Sequence, residues 1–172
     1  MHIPTIFHKK SEKQTLFRNF VFGVEDSLVS TVGLLAGVAA ADIPNRDLVT
    51  TGLVLIFVEA FSMGVGSFLT EEATSEMAGD ACDQWSAVKG ALVMFVSYTL
   101  AGLLPLSPYL FAPSALRVPA SVSASILGLV LLGYGSARWF GHAYPWRRAL
   151  KMVVLGGMAV AVGMLVGTIF QV

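Results

Sequence analysis

The sequence predicts an all-α integral membrane protein with five transmembrane helices. Of its 172 residues, 55% are hydrophobic and 13% are charged, whereas soluble domains are about 45–50% apolar and about 25% charged. The charge is also segregated, because residues 90–116 and 152–172 contain no Lys, Arg, Asp or Glu. Since a spanning helix needs about 20 mainly apolar residues, membrane spans account for most of the chain.

Five segments have the length and apolarity of a span. They are residues 17–41, 48–70, 90–110, 119–137 and 152–170. Residues 1–172 are therefore expected to form a single five-helix membrane domain. Residues 1–16 would be a cytoplasmic arm and residues 71–88 a short acidic cytoplasmic loop. No soluble catalytic domain fits beside the spans, which argues against an enzyme.

The distribution of Lys and Arg predicts the orientation, because cytoplasmic ends of spans are enriched in both. Only Arg46 and Arg117 would lie on the outer side. The other basic residues share the opposite side: Lys9, Lys10, Lys13, Arg18, Lys89, Arg138, Arg147, Arg148 and Lys151. The N-terminus is therefore expected in the cytoplasm and the C-terminus outside. In a prokaryote the membrane would be the plasma (inner) membrane.

Carboxylates within the first two spans are the candidate functional residues. Asp26, with Glu25 beside it, and Glu59 each lie near the middle of an apolar stretch. An ionised side chain at the bilayer centre costs about 2.5–3.5 kcal/mol on insertion scales, so such residues usually face a polar pathway. Met63 follows Glu59 by one helical turn, which puts an oxygen and a sulfur ligand on one face. Buried carboxylates that hydrogen-bond neighbouring helices are the structural alternative.

Mixed carboxylate and thioether ligands favour a transition-metal ion. Magnesium and calcium take oxygen ligands, and copper(I) prefers sulfur, whereas ferrous iron and manganese accept carboxylates as well. Carboxylates can also bind protons, and desolvation favours their neutral form. Replacement of a proton by a divalent cation would neutralise the buried charge, so exchange of metal for protons is chemically natural. No cofactor is expected beyond the transported ion, Fe²⁺ or Mn²⁺.

The segment after the second span is acidic. Glu72, Glu76, Asp80 and Asp83 would share one face if the second helix continued through them. This face is interpreted either as a solvated helix end or as a vestibule that collects cations, with Glu72, Glu76 and Asp80 as candidate metal ligands. No basic stripe interleaved with aromatic residues suggests a nucleic-acid partner.

Small residues on the first span predict close helix packing. Gly33 and Gly37 are four residues apart and share a face with Asp26 and Ser30, and such pairs allow two helices to approach closely. Two copies of the chain that met there would pool their acids, so we expect a homodimer through this face. In the third span, Pro105 and Pro108, followed by Pro113, are expected to stop the helix.

The sequences FVFGVEDSLVSTVGLLAGVAAA and VEAFSMGVGSFLTEEATSEM resemble the vacuolar iron transporter family. The resemblance implies a five-span dimeric protein that moves ferrous iron, and often manganese, out of the cytosol, in several members against protons. It places the family's first-span aspartate at Asp26 and its SM methionine at Met63. The family's carboxylate after the SM motif is Ser67 here, and Glu59 would compensate for it. The large metal-binding segment of some members is reduced to about 20 residues, which makes this a short form.

These observations predict a secondary transporter that exports Fe²⁺, and also Mn²⁺, from the cytoplasm in exchange for protons. Its partners would be these ions, protons, the lipid bilayer and a second copy of the chain. The alternative is a non-transporting membrane scaffold whose carboxylates hold helices together. An intramembrane aspartyl protease is disfavoured, because no Gly-x-Gly-Asp type motif is present.

Overall fold

Five long helices form the fold in the computed structural model, which describes residues 12–79, 83–139 and 144–170. They are α1 (Glu12–Ala40), α2 (Asn45–Ala78), α3 (Gln84–Phe111), α4 (Arg117–Trp139) and α5 (Pro145–Ile169), with a 3₁₀ turn at Ser114–Leu116. All five are long and apolar enough to cross a membrane, and the described residues contain no strand. The predicted all-α, five-span class is confirmed.

Helix α1 is the centre of the bundle. It contacts each of the other four helices, most extensively α3 and α5. In an apolar 18-residue stretch of α1, 56% is buried inside the protein, against 11% in the corresponding stretch of α5. Around it lie two apolar clusters, one including Leu35, Ile56 and Leu106 and the other including Leu28 and Leu129. The helix that carries Asp26 is thus the least exposed to lipid.

The glycines of α1 pack against α5 of the same chain. A Cβ added at Gly37 would lie 2.6 Å from the carbonyl oxygen of Gly163, and one at Gly167 would collide with the carbonyl of Gly37. The predicted packing role of Gly33 and Gly37 is confirmed within the chain, and a dimer through this face stays a prediction. Small residues allow a close approach, and here α5 makes that approach.

Prolines do not stop α3 where the sequence suggested. The helix passes through Pro105 and Pro108 and ends at Phe111, so this prediction is wrong for both residues. The Ser107 hydroxyl donates to the carbonyl of Leu104 at 2.8 Å, the group that Pro108 cannot pair. Ser and Thr side chains commonly compensate prolines in membrane helices in this way.

Helix α2 extends well beyond the predicted second span. Its 34 residues correspond to about 51 Å at 1.5 Å per residue, whereas the hydrocarbon core is about 30 Å thick. It ends at Ala78, where Gly79 adopts a left-handed conformation (φ 72°) and its N–H pairs with Glu76 and Ser75 carbonyls. The acidic segment is therefore helical up to this point rather than a loop.

Candidate metal site

The acids predicted from the first two spans lie on facing helices. Asp26 on α1 and Glu59 on α2 are both half-buried. Glu59 is close enough to act electrostatically on Asp26. The two residues thus lie on neighbouring helices within electrostatic range of one another, and their role in binding a metal ion stays a prediction.

A tyrosine that the sequence analysis missed completes this cluster. Tyr98 on α3 is fully buried, and its hydroxyl lies 2.7 Å from the Ser30 Oγ on α1. The charges of Glu59 and Asp26 act electrostatically on the same hydroxyl. Tyr98 therefore joins α3 to α1 within electrostatic range of the two acids. A tyrosine amid the apolar residues of a span was the available signal.

A second hydrogen bond fixes the register of α3 against α1. The Ser27 hydroxyl donates to the backbone carbonyl of Tyr98 at 2.6 Å. A Cβ at Gly102, one turn later, would lie 2.7 Å from the Ser27 Oγ, so an alanine there would require this contact to shift. The position of Tyr98 relative to α1 is thus set by its backbone as well as by its hydroxyl.

Met63 and Glu25 differ in their relation to this cluster. Met63 is half-buried on α2, one turn from Glu59, as the spacing predicted. Glu25 is near a different charge, since the side chain of Arg148 on α5 acts on it electrostatically. Glu25 therefore has a cationic neighbour, which makes it a weaker candidate ligand than Asp26.

The acidic end of α2 presents fewer carboxylates on one helical face than the sequence suggested. Glu72 is half-buried and Glu76 exposed, one turn apart on the helix. Asp80 lies outside the described residues. Asp83 precedes α3 in an extended conformation, so the predicted single acidic face through it is wrong. Within residues 12–79, 83–139 and 144–170, no group of three or more His, Cys, Asp or Glu side chains is arranged to hold a metal ion.

A separate polar cluster joins α1, α2 and α3 nearer the N-terminal end of α1. The buried Asn19 amide donates to the Ser67 Oγ at 2.7 Å and to the Gly90 carbonyl at 3.1 Å. Arg18 donates to Asn19 at 3.4 Å and lies 3.9 Å from Glu71. Ser67, where the resemblance expected a carboxylate, is therefore a hydrogen-bonding partner. The sequence analysis missed Asn19, although an amide beside an apolar run is a visible signal.

An apolar groove borders the cluster. It encloses about 640 Å³ between α1 and α5. Its lining includes Ser30, Leu34 and Val38 of α1, Leu55 of α2, and Val162 of α5. Since Ser30 also contacts Tyr98, the groove begins beside the polar cluster and continues as an apolar surface.

Comparison of the sequence with known proteins identifies one family. A model described as the VIT family matches residues 17–84 and 76–168, two stretches that meet at the connection between α2 and α3. Vacuolar iron transporter homolog 1 of Oryza sativa subsp. japonica is 32% identical over 84% of this chain and 69% of its own length. Vacuolar iron transporter homolog 4 of Arabidopsis thaliana is 29% identical over 89% and 84%.

A more distant relative is longer than this chain within the aligned region. Vacuolar iron transporter 1 of Eucalyptus grandis is 22% identical, over 85% of this chain and 83% of its own. That alignment extends over 207 positions, although the chain has only 172 residues. The relative therefore contains additional residues inside the aligned region.

Proposed function

Since this chain belongs to the VIT family, we propose that it is a secondary transporter that exports Fe²⁺, and also Mn²⁺, from the cytoplasm. The observation that carries the proposal is the placement of Asp26 and Glu59 on neighbouring spans, within electrostatic range of one another. Relatives named as vacuolar iron transporters suggest the transported ion. The paired acids suggest where that ion would bind.

Two carboxylates inside a membrane protein need a counter-charge. Each would cost about 2.5–3.5 kcal/mol at the bilayer centre, and two ionised carboxylates close together also repel one another. A divalent cation between Asp26 and Glu59 would neutralise both charges. Protons can do the same when the ion has left, so we propose that metal moves in one direction and protons in the other.

Met63 would contribute selectivity. Its thioether is a soft ligand, one turn along α2 from the hard carboxylate of Glu59. Ions that prefer oxygen alone, such as calcium and magnesium, would gain nothing from it. The combination favours ferrous iron over these ions.

The ion would enter from the acidic end of α2. We propose that this end faces the cytoplasm, in agreement with the basic residues on that side. In a prokaryote the membrane would be the plasma membrane. Glu72 and Glu76 lie on the part of α2 that is too long for the bilayer, where carboxylates would raise the local concentration of cations.

We place the partner of a homodimer on the apolar groove. Gly33 and Gly37 contact α5 and also line the groove between α1 and α5, which remains open and almost entirely apolar. A second copy that covered it would bring two Asp26–Glu59 pairs toward one seam, beside Ser30. The proposed path would then run along the interface of two chains.

Transport by purified protein tests the proposal. The chain would be reconstituted into liposomes, and uptake of Fe²⁺, Mn²⁺ and Ca²⁺ measured with and without a proton gradient. We expect uptake of iron and manganese, stimulation by the gradient, and no calcium uptake. The Asp26→Asn variant keeps the shape and removes the charge. It should reduce the iron flux by more than about 100-fold, because loss of a direct ligand should cost more than the roughly 10–100-fold typical of a group that only supports a ligand.

The variants must be compared at the same amount of folded protein. Asp42→Asn, which changes a carboxylate in the connection between α1 and α2, would serve as the control. Iron flux at the parental level in Asp26→Asn would refute the proposed path. Absence of metal flux in the parent chain would favour the scaffold instead.

A further inference from the structure

The charged residues are divided unevenly along the chain. All 11 Asp and Glu side chains precede Gln84, the first residue of α3. The basic residues that follow it are Lys89, Arg117, Arg138, Arg147, Arg148 and Lys151. Helices α3, α4 and α5 therefore contain cations and no carboxylate. Any counter-charge for these cations must come from α1 or α2, from the connections beside them, or from outside the chain.

The end of α4 and the start of α5 carry three exposed cations at one end of the bundle. A Cβ at Gly133 of α4 would lie 2.6 Å from the Cα of Ala149, so the two helices are in close contact at this level. Arg138 belongs to the last turn of α4. Arg147 and Lys151 are four residues apart and so share a face of α5. All three side chains are exposed.

The neighbouring helices differ, because their cations at the same end are paired within the chain. Arg18 of α1 lies 3.9 Å from Glu71 of α2, and Lys89 of α3 donates to Glu12 of α1 at 2.8 Å. Among residues 12–79, 83–139 and 144–170, no ion pair includes a residue of α4 or α5. The positive charge of these two helices is thus the part that the described protein leaves without a salt bridge.

Arg148 is distinct from the other cations of α5. It is half-buried, and the carboxylate of Glu25 on α1 is its electrostatic neighbour. The exposed surface that lacks a protein counter-charge therefore consists of Arg138, Arg147 and Lys151, which we call the basic end.

Aromatic side chains surround the basic end. Trp139, Tyr144 and Trp146 are all exposed, and such rings are enriched where a membrane meets water. The guanidinium of Arg147 lies 4.9 Å from the centre of the Tyr144 ring. The cations are therefore at the depth where the phosphate groups of phospholipids lie.

We propose that the basic end binds the headgroups of anionic phospholipids. Their phosphate groups would supply the counter-charge that α4 and α5 lack, and both Arg and Lys bind phosphate. Basic sites on membrane helices are a common mode of lipid recognition. The acyl chains would lie against the next turn of α5, where Val154 and Leu155 are exposed. The inference requires helices that span a bilayer and does not depend on metal transport.

The test measures binding of dioleoylphosphatidylglycerol to the purified full chain in a neutral detergent, by native mass spectrometry over a range of lipid concentrations. Dioleoylphosphatidylcholine, which has the same tails and no net charge, is the reference. We expect the anionic lipid to bind more tightly. Its advantage should shrink as salt is raised, because salt screens exposed charges. Equal affinities for the two lipids would overturn the proposal.

Substitutions by glutamine locate the site. Each basic residue near an anionic lipid surface contributes about fivefold in affinity, so Arg147→Gln should weaken binding of the anionic lipid by about this factor. The variant with Arg138, Arg147 and Lys151 all replaced by glutamine should lose about 100-fold. Arg46→Gln, which removes an exposed arginine at the start of α2 and thus at the opposite end of the bundle, should match the parent.

The same variants can overturn the proposal. Parental affinity in the triple variant, or an equal loss in Arg46→Gln, would show that the basic end is not the site. Single substitutions at exposed positions rarely affect folding. Should the triple variant not fold, parental affinity in all three single variants would overturn the proposal by itself.

Competition distinguishes a lipid headgroup from free phosphate. Inorganic phosphate at the concentration of the lipid should not displace it, because phosphate has no acyl chain to lie against Val154 and Leu155. Displacement at that concentration would contradict a lipid site. None of these measurements involves metal flux, so their failure would leave the proposed transport function unaffected.

Discussion

Toward α5, helix α1 presents glycines, whereas toward α2 and α3 it presents Asn19, Ser27 and Ser30. On the α5 side the backbones touch, and a carbonyl of Gly37 meets the α carbon region of Gly167. On the other side, the helices are joined by side-chain hydrogen bonds. A backbone contact has no alternative arrangement, while a hydroxyl or amide can exchange one partner for another. The polar side can therefore rearrange more readily than the glycine side.

The largest loss of folding stability is expected from a substitution in the glycine contact between α1 and α5. Gly163→Ala would drive a Cβ into the carbonyl of Gly33, a backbone group that cannot rotate away. Overpacking of this kind typically costs about 1–3 kcal/mol. The midpoint of unfolding in detergent should therefore fall.

A glycine on the same helix controls for the change of residue type. A Cβ at Gly157 would meet nothing within 4 Å, so Gly157→Ala should be neutral or slightly stabilising, because alanine is the better helix former. Equal losses at the two positions would show that the contact between α1 and α5 contributes little to stability.

An intermediate loss of folding stability is expected when hydrogen bonds that join α1 to α2 and α3 are removed. Asn19→Ala removes the hydrogen bonds to Ser67 and to the Gly90 carbonyl. Hydrogen bonds between membrane helices average about 0.6 kcal/mol each, with a maximum of about 1.7. Chemical unfolding in detergent should show a loss in this range, and Ser67→Ala, which removes only one of the bonds, should lose less. A greater loss in Ser67→Ala would contradict the central position of Asn19.

The smallest change in stability is expected at Met63. Met63→Leu keeps volume and apolarity, so the free energy of unfolding should change by less than about 1.5 kcal/mol. Iron uptake should nevertheless fall more than manganese uptake, because manganese gains less from sulfur. Met152→Leu, at a methionine buried in a different apolar cluster, should alter neither uptake. Equal losses of both metals in Met63→Leu would leave Met63 a packing residue.

The sequence was sufficient for features that depend on one helix at a time. Hydropathy predicted all five spans, and the cost of a buried charge singled out Asp26 and Glu59. Features that depend on which helices are neighbours were not accessible in this way. Nothing in the sequence of α3 indicates that Tyr98 faces Ser30 rather than lipid.

The features that the sequence did not predict have the same origin. The spacing of Gly33 and Gly37 predicted a close approach, but not that α5 would supply the partner. The prolines of α3 predicted a stop, whereas a hydroxyl of Ser107 satisfies the carbonyl that Pro108 leaves unpaired. In both cases a local rule was correct, and the surroundings of the residue decided its outcome.

The left-handed glycine after α2 has a consequence for how the family varies. Gly79 ends the helix at an exposed position where a Cβ would meet nothing within 4 Å. The two stretches matched by the family model meet at residues 76–84, around this glycine. Insertions are tolerated where few contacts surround the backbone. Additional residues can thus be accommodated at this joint without a change to the packing of the five helices.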